Sequence, residues 1–184
     1  MKTVTFITGN QHKVDFLNEY LGVTLEHHAL DLDEIQSLDM REVIMHKAKQ
    51  AYEHLQKPVL VDDVSMGLDA LGGLPGPFIK HFVQVPDGAE NICRMADGLK
   101  SRHATAYAYF GLYDGEDMVV MNGEIHGTIA DHPRGENGFA YGWDKVFCPD
   151  GYDGRTRAEL TQVEYEAVYR AIRPITQLKT YLES

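Results

Sequence analysis

KTVTFITGNQHKVDFLNEYL, residues 2–21, carries two different periodicities on either side of one turn. Lys2 to Thr8 is a short β-branched and aromatic run that reads as a buried strand, and Gly9-Asn10 stops it. Val14, Leu17 and Leu21 then recur at helical spacing and form one apolar stripe. Strand, tight turn and helix make the opening unit, the building block of an α/β architecture.

Outward from that unit, Val23 to Leu32 reads as a second strand ending at the acidic Asp33-Glu34. Asp39 followed by Glu42 resembles a capping box, and Ile44, Ala48, Ala51 and Leu55 make the stripe of a longer helix that Pro58 closes. Val59-Leu60-Val61 is a further strand running straight into Asp62-Asp63. LGGLPGPF, Leu71 to Phe78, is too rich in Gly and Pro for an element interior and reads as a shaped loop; Ala89 to Leu99 reads as a short helix. From Ala104 to Thr128 two or more strands turn near Asp114-Gly115, a connection too short for a crossover, so they pair antiparallel. Asp131 to Thr156 is loop-rich, and Ala158 to Leu182 is mostly helical with a break before Pro174. The expectation is an α/β fold bordering on α+β, one domain over residues 1–184. A mixed sheet flanked by helices would hold the active site in a cleft at strand ends.

A chain of 184 residues fits one domain, and 43% hydrophobic residues suffice to bury a core. Its 17 Lys+Arg against 28 Asp+Glu leave a formal charge of −11, which argues against broad contact with nucleic acid or an anionic membrane. A polyanionic substrate must then be met locally, by a few lysines or a bound metal. No window approaches the roughly 20 apolar residues that span a bilayer, and the N-terminal run is too short and threonine-rich for a signal peptide. Cys93 and Cys148 lack a paired spacing and read as reduced thiols, so a soluble cytoplasmic protein is expected.

Three places put polar residues at the end of a strand. In Thr8-Gly9-Asn10-Gln11-His12-Lys13, glycine permits a close turn, the helix start offers N–H groups to an anion, and Lys13 adds a point charge one turn in. The same residues also suit a purely structural turn, because neither a Walker A pattern nor a dinucleotide fingerprint is present. Glu34, Asp62 and Asp63 form a carboxylate set. Adjacent aspartates on a regular strand point to opposite faces, so one can hold a metal while its neighbour orients or activates water. Mg²⁺ is the natural compensating ion, with Mn²⁺ as a substitute; solvated acids at a strand end are the plainer alternative. In Tyr141-Gly142-Trp143-Asp144, the chain's single tryptophan is either a platform for a base beside an accepting carboxylate or a core residue. There is no zinc pattern, no nucleophile elbow and no evident base for Cys148.

These residues carry a resemblance. VDDVSMGLDALGGLPGPFIKHF, residues 61–82, and YGWDKVFCPDGY, residues 141–152, are similar to the inosine triphosphate pyrophosphatase family, and the similarity extends over nearly the whole chain. Thr8-Gly9-Asn10 with Lys13 resembles the family's phosphate-binding start, and Glu34, Lys47 and Asp62-Asp63 fall where the family keeps metal and phosphate residues. The resemblance implies metal-dependent hydrolysis of a nucleoside triphosphate, of the inosine, xanthosine or deoxyinosine kind, to monophosphate and pyrophosphate. It implies an elongated mixed α/β fold and a homodimer. Lys13, Lys47 and Mg²⁺ would neutralise the triphosphate and Asp63 would deprotonate water. Glu34 and Asp62 would ligate metal or orient, and the two aspartates are exchangeable in these roles, either one serving as base or metal ligand. Thr8, Gly9, Asn10, Ser65, Tyr141, Trp143, Asp144, Tyr169 and Arg170 would line the substrate.

Departures from the family pattern concentrate at the C-terminal nucleotide contacts. Phe16 stands where the family commonly has glutamate, and Val64 where a small hydroxyl residue follows the aspartates, with Ser65 one later. Tyr165-Glu166 replaces a lysine-asparagine pair, and Tyr169-Arg170 replaces a serine-histidine-arginine run. Reading a keto purine needs an acceptor and a donor side by side; Asp144 supplies the acceptor, Arg170 remains as donor, and Glu166 would favour an amino group. A shifted base preference is therefore one expectation. A nucleotide-binding protein without catalysis is the competing class, disfavoured because binding alone does not need a water-activating carboxylate.

Overall fold

Asn10 sets the first turn of the chain: its side chain accepts from His12 N at 3.0 Å and caps the helix that follows. The computed structural model describes residues 2–137 and 142–184, so Tyr141 lies outside the described residues. The strands are β1 (Thr5–Ile7), β2 (Glu26–His28), β3 (Val59–Leu68), β4 (Leu74–Gly76), β5 (His103–Tyr113), β6 (Met118–Ile129) and β7 (Phe147–Pro149). The helices are α1 (Gln11–Leu21), α2 (Met40–Leu55), α3 (Ile79–Gln84), α4 (Gly88–Asp97), α5 (Gln162–Ala171) and α6 (Ile175–Glu183). The sheet runs β2-β1-β3-β5-β6-β7, with β4 paired to β3. It is mixed: β1 pairs parallel with β2 and β3, while β3–β4 and β6–β7 are antiparallel. This is the expected α/β class.

The residues fall into two compact units, Met1–Asp63 with Ala108–Asn122 and Pro174–Ser184, and Val64–Tyr107 with Gly123–Arg173. In the first unit the strand alternation sorts side chains onto two helical layers. Phe6, Leu60, Phe110, Leu112 and Met121 pack with Val14 and Leu17 of α1 and Leu178 and Leu182 of α6. Ile7, Val59 and Val61 pack with Ile44, Ala48 and Ala51 of α2. Even-numbered residues of β3 thus face α1 and odd-numbered ones face α2. That parity positions the site.

Three expectations change in detail. The run Val23 to Leu32 yields only the three exposed residues of β2, because its outward Glu26-His27-His28 edge offers nothing to bury. Asp62 and Asp63 lie inside the ten-residue β3 and not at its end. What ends there is the partner strand: the last parallel pair is Ile7↔Val61, so the aspartates stand just past the pairing with β1. The Gly- and Pro-rich loop folds back as β4, in register Met66↔Gly76, Gly67↔Pro75 and Leu68↔Leu74. Its approach requires glycine at 67, where a Cβ would sit 1.7 Å from the Gly73 carbonyl oxygen.

In the second unit, Met66 and Leu68 of β3, Ala104 and Ala106 of β5, Ile92, Cys93 and Ala96 of α4, and Phe147 of β7 are buried. The late hairpin forms where expected, with Asp114 Oδ1 accepting from Glu116 N at 3.0 Å and Asp117 N at 2.8 Å to close the turn before β6. Helix α5 starts at a reciprocal cap, Thr161 with Glu164, and the C-terminal helix breaks at Pro174 as its sequence requires. No helix among the described residues is long and apolar enough to cross a membrane.

Candidate active site

Asp62 follows the even parity of Leu60 toward α1, and there its carboxylate meets Lys13, whose Nζ lies 3.0 Å from Oδ1 and 2.8 Å from Oδ2. The Asp62 side chain is 5% exposed, so its charge is held by this lysine and not by water. Asp63 follows the odd parity toward α2 and meets Lys47, Nζ to Oδ2 3.4 Å, with its side chain 28% exposed. Lys47 also donates to the Asp62 carbonyl oxygen at 3.1 Å, which ties the strand to α2 at this point. Lys13 sits one turn before Leu17 on α1, and Lys47 follows Ile44 by three residues on α2, so each lysine shares its helix's sheet-facing stripe.

The turn into α1 adds backbone donors. Thr8 Oγ1 accepts from Asn10 N at 3.1 Å, and Thr8, Gly9 and Asn10 are half-buried or exposed at the helix N-terminus, where an anion is favoured. Gly9 does not take the left-handed conformation, and a Cβ there would meet only Ala29 Cβ at 3.4 Å, so the turn itself does not demand glycine. Glu34 lies exposed in the segment between β2 and α2, and among the described residues no three His, Cys, Asp or Glu side chains are gathered as a metal cage. The structure brings together Lys13, Lys47, Asp62 and Asp63.

The second unit holds the aromatic set. Trp143 and Asp144 lie in a short 3-10 turn, Gly142–Lys145, and both are buried. Trp143 packs edge-on against Phe147, centroids 5.5 Å apart, as a core tryptophan does. Asp144 is engaged by Arg157, Nη1 to Oδ1 2.6 Å, and by the Tyr165 hydroxyl, which donates to Oδ2 at 2.8 Å. Burial pushes the Tyr165 phenol well above its ordinary range, so it remains a donor at neutral pH. Tyr169 stacks on Tyr165 with centroids 6.4 Å apart, Arg170 is exposed on α5, and Ser65 is buried within β3. Cys93 and Cys148 are free, buried thiols; burial pushes Cys93 up to about 11 and raises Cys148, which makes both poor nucleophiles.

The Ham1 family model matches residues 4–181. The chain belongs to the Ham1 family. It is 40% identical to the inosine triphosphate pyrophosphatase of Yarrowia lipolytica over 98% of this chain and 95% of that protein, and 38% identical to inosine triphosphate pyrophosphatase 2 of Trypanosoma cruzi over 97% and 91%. The HAM1 protein of Coxiella burnetii has the same fold, with a TM-score of 0.85 at 24% identity, covering 100% of this chain and 99% of that one.

In this Ham1 chain two site residues escape a reading of the sequence, Arg157 and Tyr165 as partners of Asp144. Only the chain's excess of acids hints that a buried arginine must find a carboxylate. The lysine–aspartate pairs have a definite chemical capacity: two cations placed to exchange carboxylate for phosphate, and two hard oxygen donors that such an exchange would uncover. That donor set fits a divalent cation of the Mg²⁺ type, which takes one or two protein carboxylates and completes its shell from phosphate oxygens and water.

Proposed function

We propose that this chain hydrolyses a nucleoside triphosphate to its monophosphate and pyrophosphate, with inosine, xanthosine and deoxyinosine triphosphates as its substrates. The observation that carries the reading is the pair of carboxylates on successive residues of β3, each met by a lysine from a different helix, beside the N-terminus of α1. The names of the relatives at 35–40% identity agree with it.

Hydrolysis at a phosphorus requires neutralising the triphosphate, placing a water in line and removing its proton. Lys13 and Lys47 are the cations available, with the α1 N-terminal amides as further donors, and substrate phosphates compete with Asp62 and Asp63 for both lysines. Asp63 is the more exposed carboxylate and is the base that accepts the water's proton. Asp62, deep and gripped by Lys13, orients that lysine. Asp62 and Asp63, with Glu34 as a further carboxylate, would hold Mg²⁺ or Mn²⁺, which when bound supplies charge neutralisation on the phosphates. Residues 1–184 act as one hydrolytic domain on this reading, in the cytoplasm and as a homodimer.

Purified protein with Mg²⁺ and a panel of purine and pyrimidine triphosphates, with pyrophosphate and orthophosphate measured separately, tests the reaction. Pyrophosphate and monophosphate in equal amounts, fastest from a non-standard purine, is the expected result. Orthophosphate as the sole phosphate product, or no turnover across the panel, contradicts it.

A further inference from the structure

Between β2 and α2, residues 29–39 form neither helix nor strand, yet both ends of this strap are fixed on the site. It leaves beside the turn into α1, where Thr8 N donates to the His28 carbonyl oxygen at 2.9 Å and Ala29 Cβ lies 3.4 Å from where a Cβ on Gly9 would stand. It arrives at the cap of α2, where Asp39 N donates to Ser37 Oγ at 3.0 Å and Ser37 Oγ donates to Glu42 Oε2 at 2.7 Å. Glu34 lies near its middle.

The first half of the strap is held by packing: Leu30 and Leu32 lie against the cluster that Ile44, Ala48 and Ala51 of α2 build with β1 and β3. Asp33 and Glu34 turn outward and are exposed, so apolar burial does not place them. At that point Asp33 N donates to Gln50 Oε1 at 2.9 Å. Gln50 follows Lys47 by three residues on α2, so the two side chains stand one turn apart on the same side of the helix. One side of α2 thus grips Asp63 through Lys47 and the residue before Glu34 through Gln50.

Ordering an irregular segment costs conformational entropy at every residue, so a carboxylate on it is positioned only where a contact offsets that cost. A neutral amide suits the task, because its oxygen accepts from the main chain without adding a charge that would compete with the carboxylates for a cation. We propose that Gln50 is a positioning residue: by accepting from the Asp33 amide it fixes the strap on α2 and sets where the Glu34 carboxylate stands toward a divalent cation held with Asp62 and Asp63. The assignment rests on the triphosphate reading above, and adds to it a residue that acts through the main chain of the strap.

Mn²⁺ alone, with its free fraction read by electron paramagnetic resonance, probes the assignment on the protein without nucleotide. Gln50→Met keeps the length and helix preference of the side chain and removes the amide oxygen. Its Mn²⁺ dissociation constant should rise by about threefold to tenfold, the weight of one hydrogen bond, and the Mg²⁺ concentration for half-maximal hydrolysis should rise by the same factor. Gln50→Glu retains an oxygen there and should bind Mn²⁺ at least as tightly as the wild type. Glu34→Gln weakens binding on its own, and adding Gln50→Met to it should cost nothing further, because the strap then carries no carboxylate to place. If Gln50→Met does not fold by circular dichroism, Gln50→Ala takes its place with the same expectation. Mn²⁺ affinity within twofold of wild type in the folded variant, or an equal loss when Glu34→Gln is already present, overturns the assignment. A chain that binds Mn²⁺ in this Glu34-dependent way but releases no pyrophosphate sinks the hydrolysis and keeps Gln50, whereas hydrolysis with a Mn²⁺ affinity indifferent to Glu34→Gln sinks Gln50 and keeps the hydrolysis.

Discussion

Asp63→Asn is expected to lower turnover by about a hundred- to ten-thousand-fold, the range supplied by a positioned general base. The amide keeps the carboxylate's shape, so β3 and its contacts survive and triphosphate binding changes little, but it cannot take the proton of the attacking water. Asp63 is assigned this role because its side chain is 28% exposed with Lys47 at 3.4 Å, whereas Asp62 is 5% exposed with both oxygens on Lys13. Steady-state rates alongside equilibrium binding of the triphosphate separate the two effects. Turnover within about threefold of wild type, under about 1 kcal/mol of barrier, removes Asp63 from the base role.

Lys13→Ala acts on two properties at once. It strips the counter-charge from a nearly buried Asp62 and removes a cation that meets phosphate in ground and transition states alike. KM should rise and kcat fall together, and stability should drop by about 1–3 kcal/mol once solvent screening of a quarter-exposed lysine is allowed for. Denaturant unfolding and kinetics measure both. Because the loss comes from an orphaned carboxylate, Lys13→Ala combined with Asp62→Ala should be less destabilised than the sum of the single variants. An unchanged KM with strictly additive stabilities contradicts the pairing.

Much of the fold follows from local signals. The stripe of α1, the Asp39 cap and apolar stripe of α2, the Asp114-Gly115 turn and the break at Pro174 each rest on residues close in sequence, where period and turn chemistry act directly. The full length of β3 does not, because its last residues, Met66 to Leu68, pair with β4, which lies inside a stretch whose glycines and prolines read as loop. The carboxylate pair is legible from adjacency and strand parity, but the choice of lysine for each is not. Lys13 and Asp62 stand 49 positions apart, and only the sorting of α1 and α2 onto opposite faces of the sheet brings the right cation to each. Asp144 is visible beside the single tryptophan; its engagement by Arg157 and Tyr165 depends on how two 3-10 turns and α5 pack.

Hydrolysis in ¹⁸O-labelled water probes the chemistry at its reacting atom. Water directed at the α-phosphorus places the label in the nucleoside monophosphate and leaves pyrophosphate unlabelled, and the label should enter at one atom per turnover. Label in the pyrophosphate means attack at the β-phosphorus, and labelled orthophosphate means a different phosphohydrolase; either result contradicts the arrangement of Lys13, Lys47 and Asp63 argued for this chain.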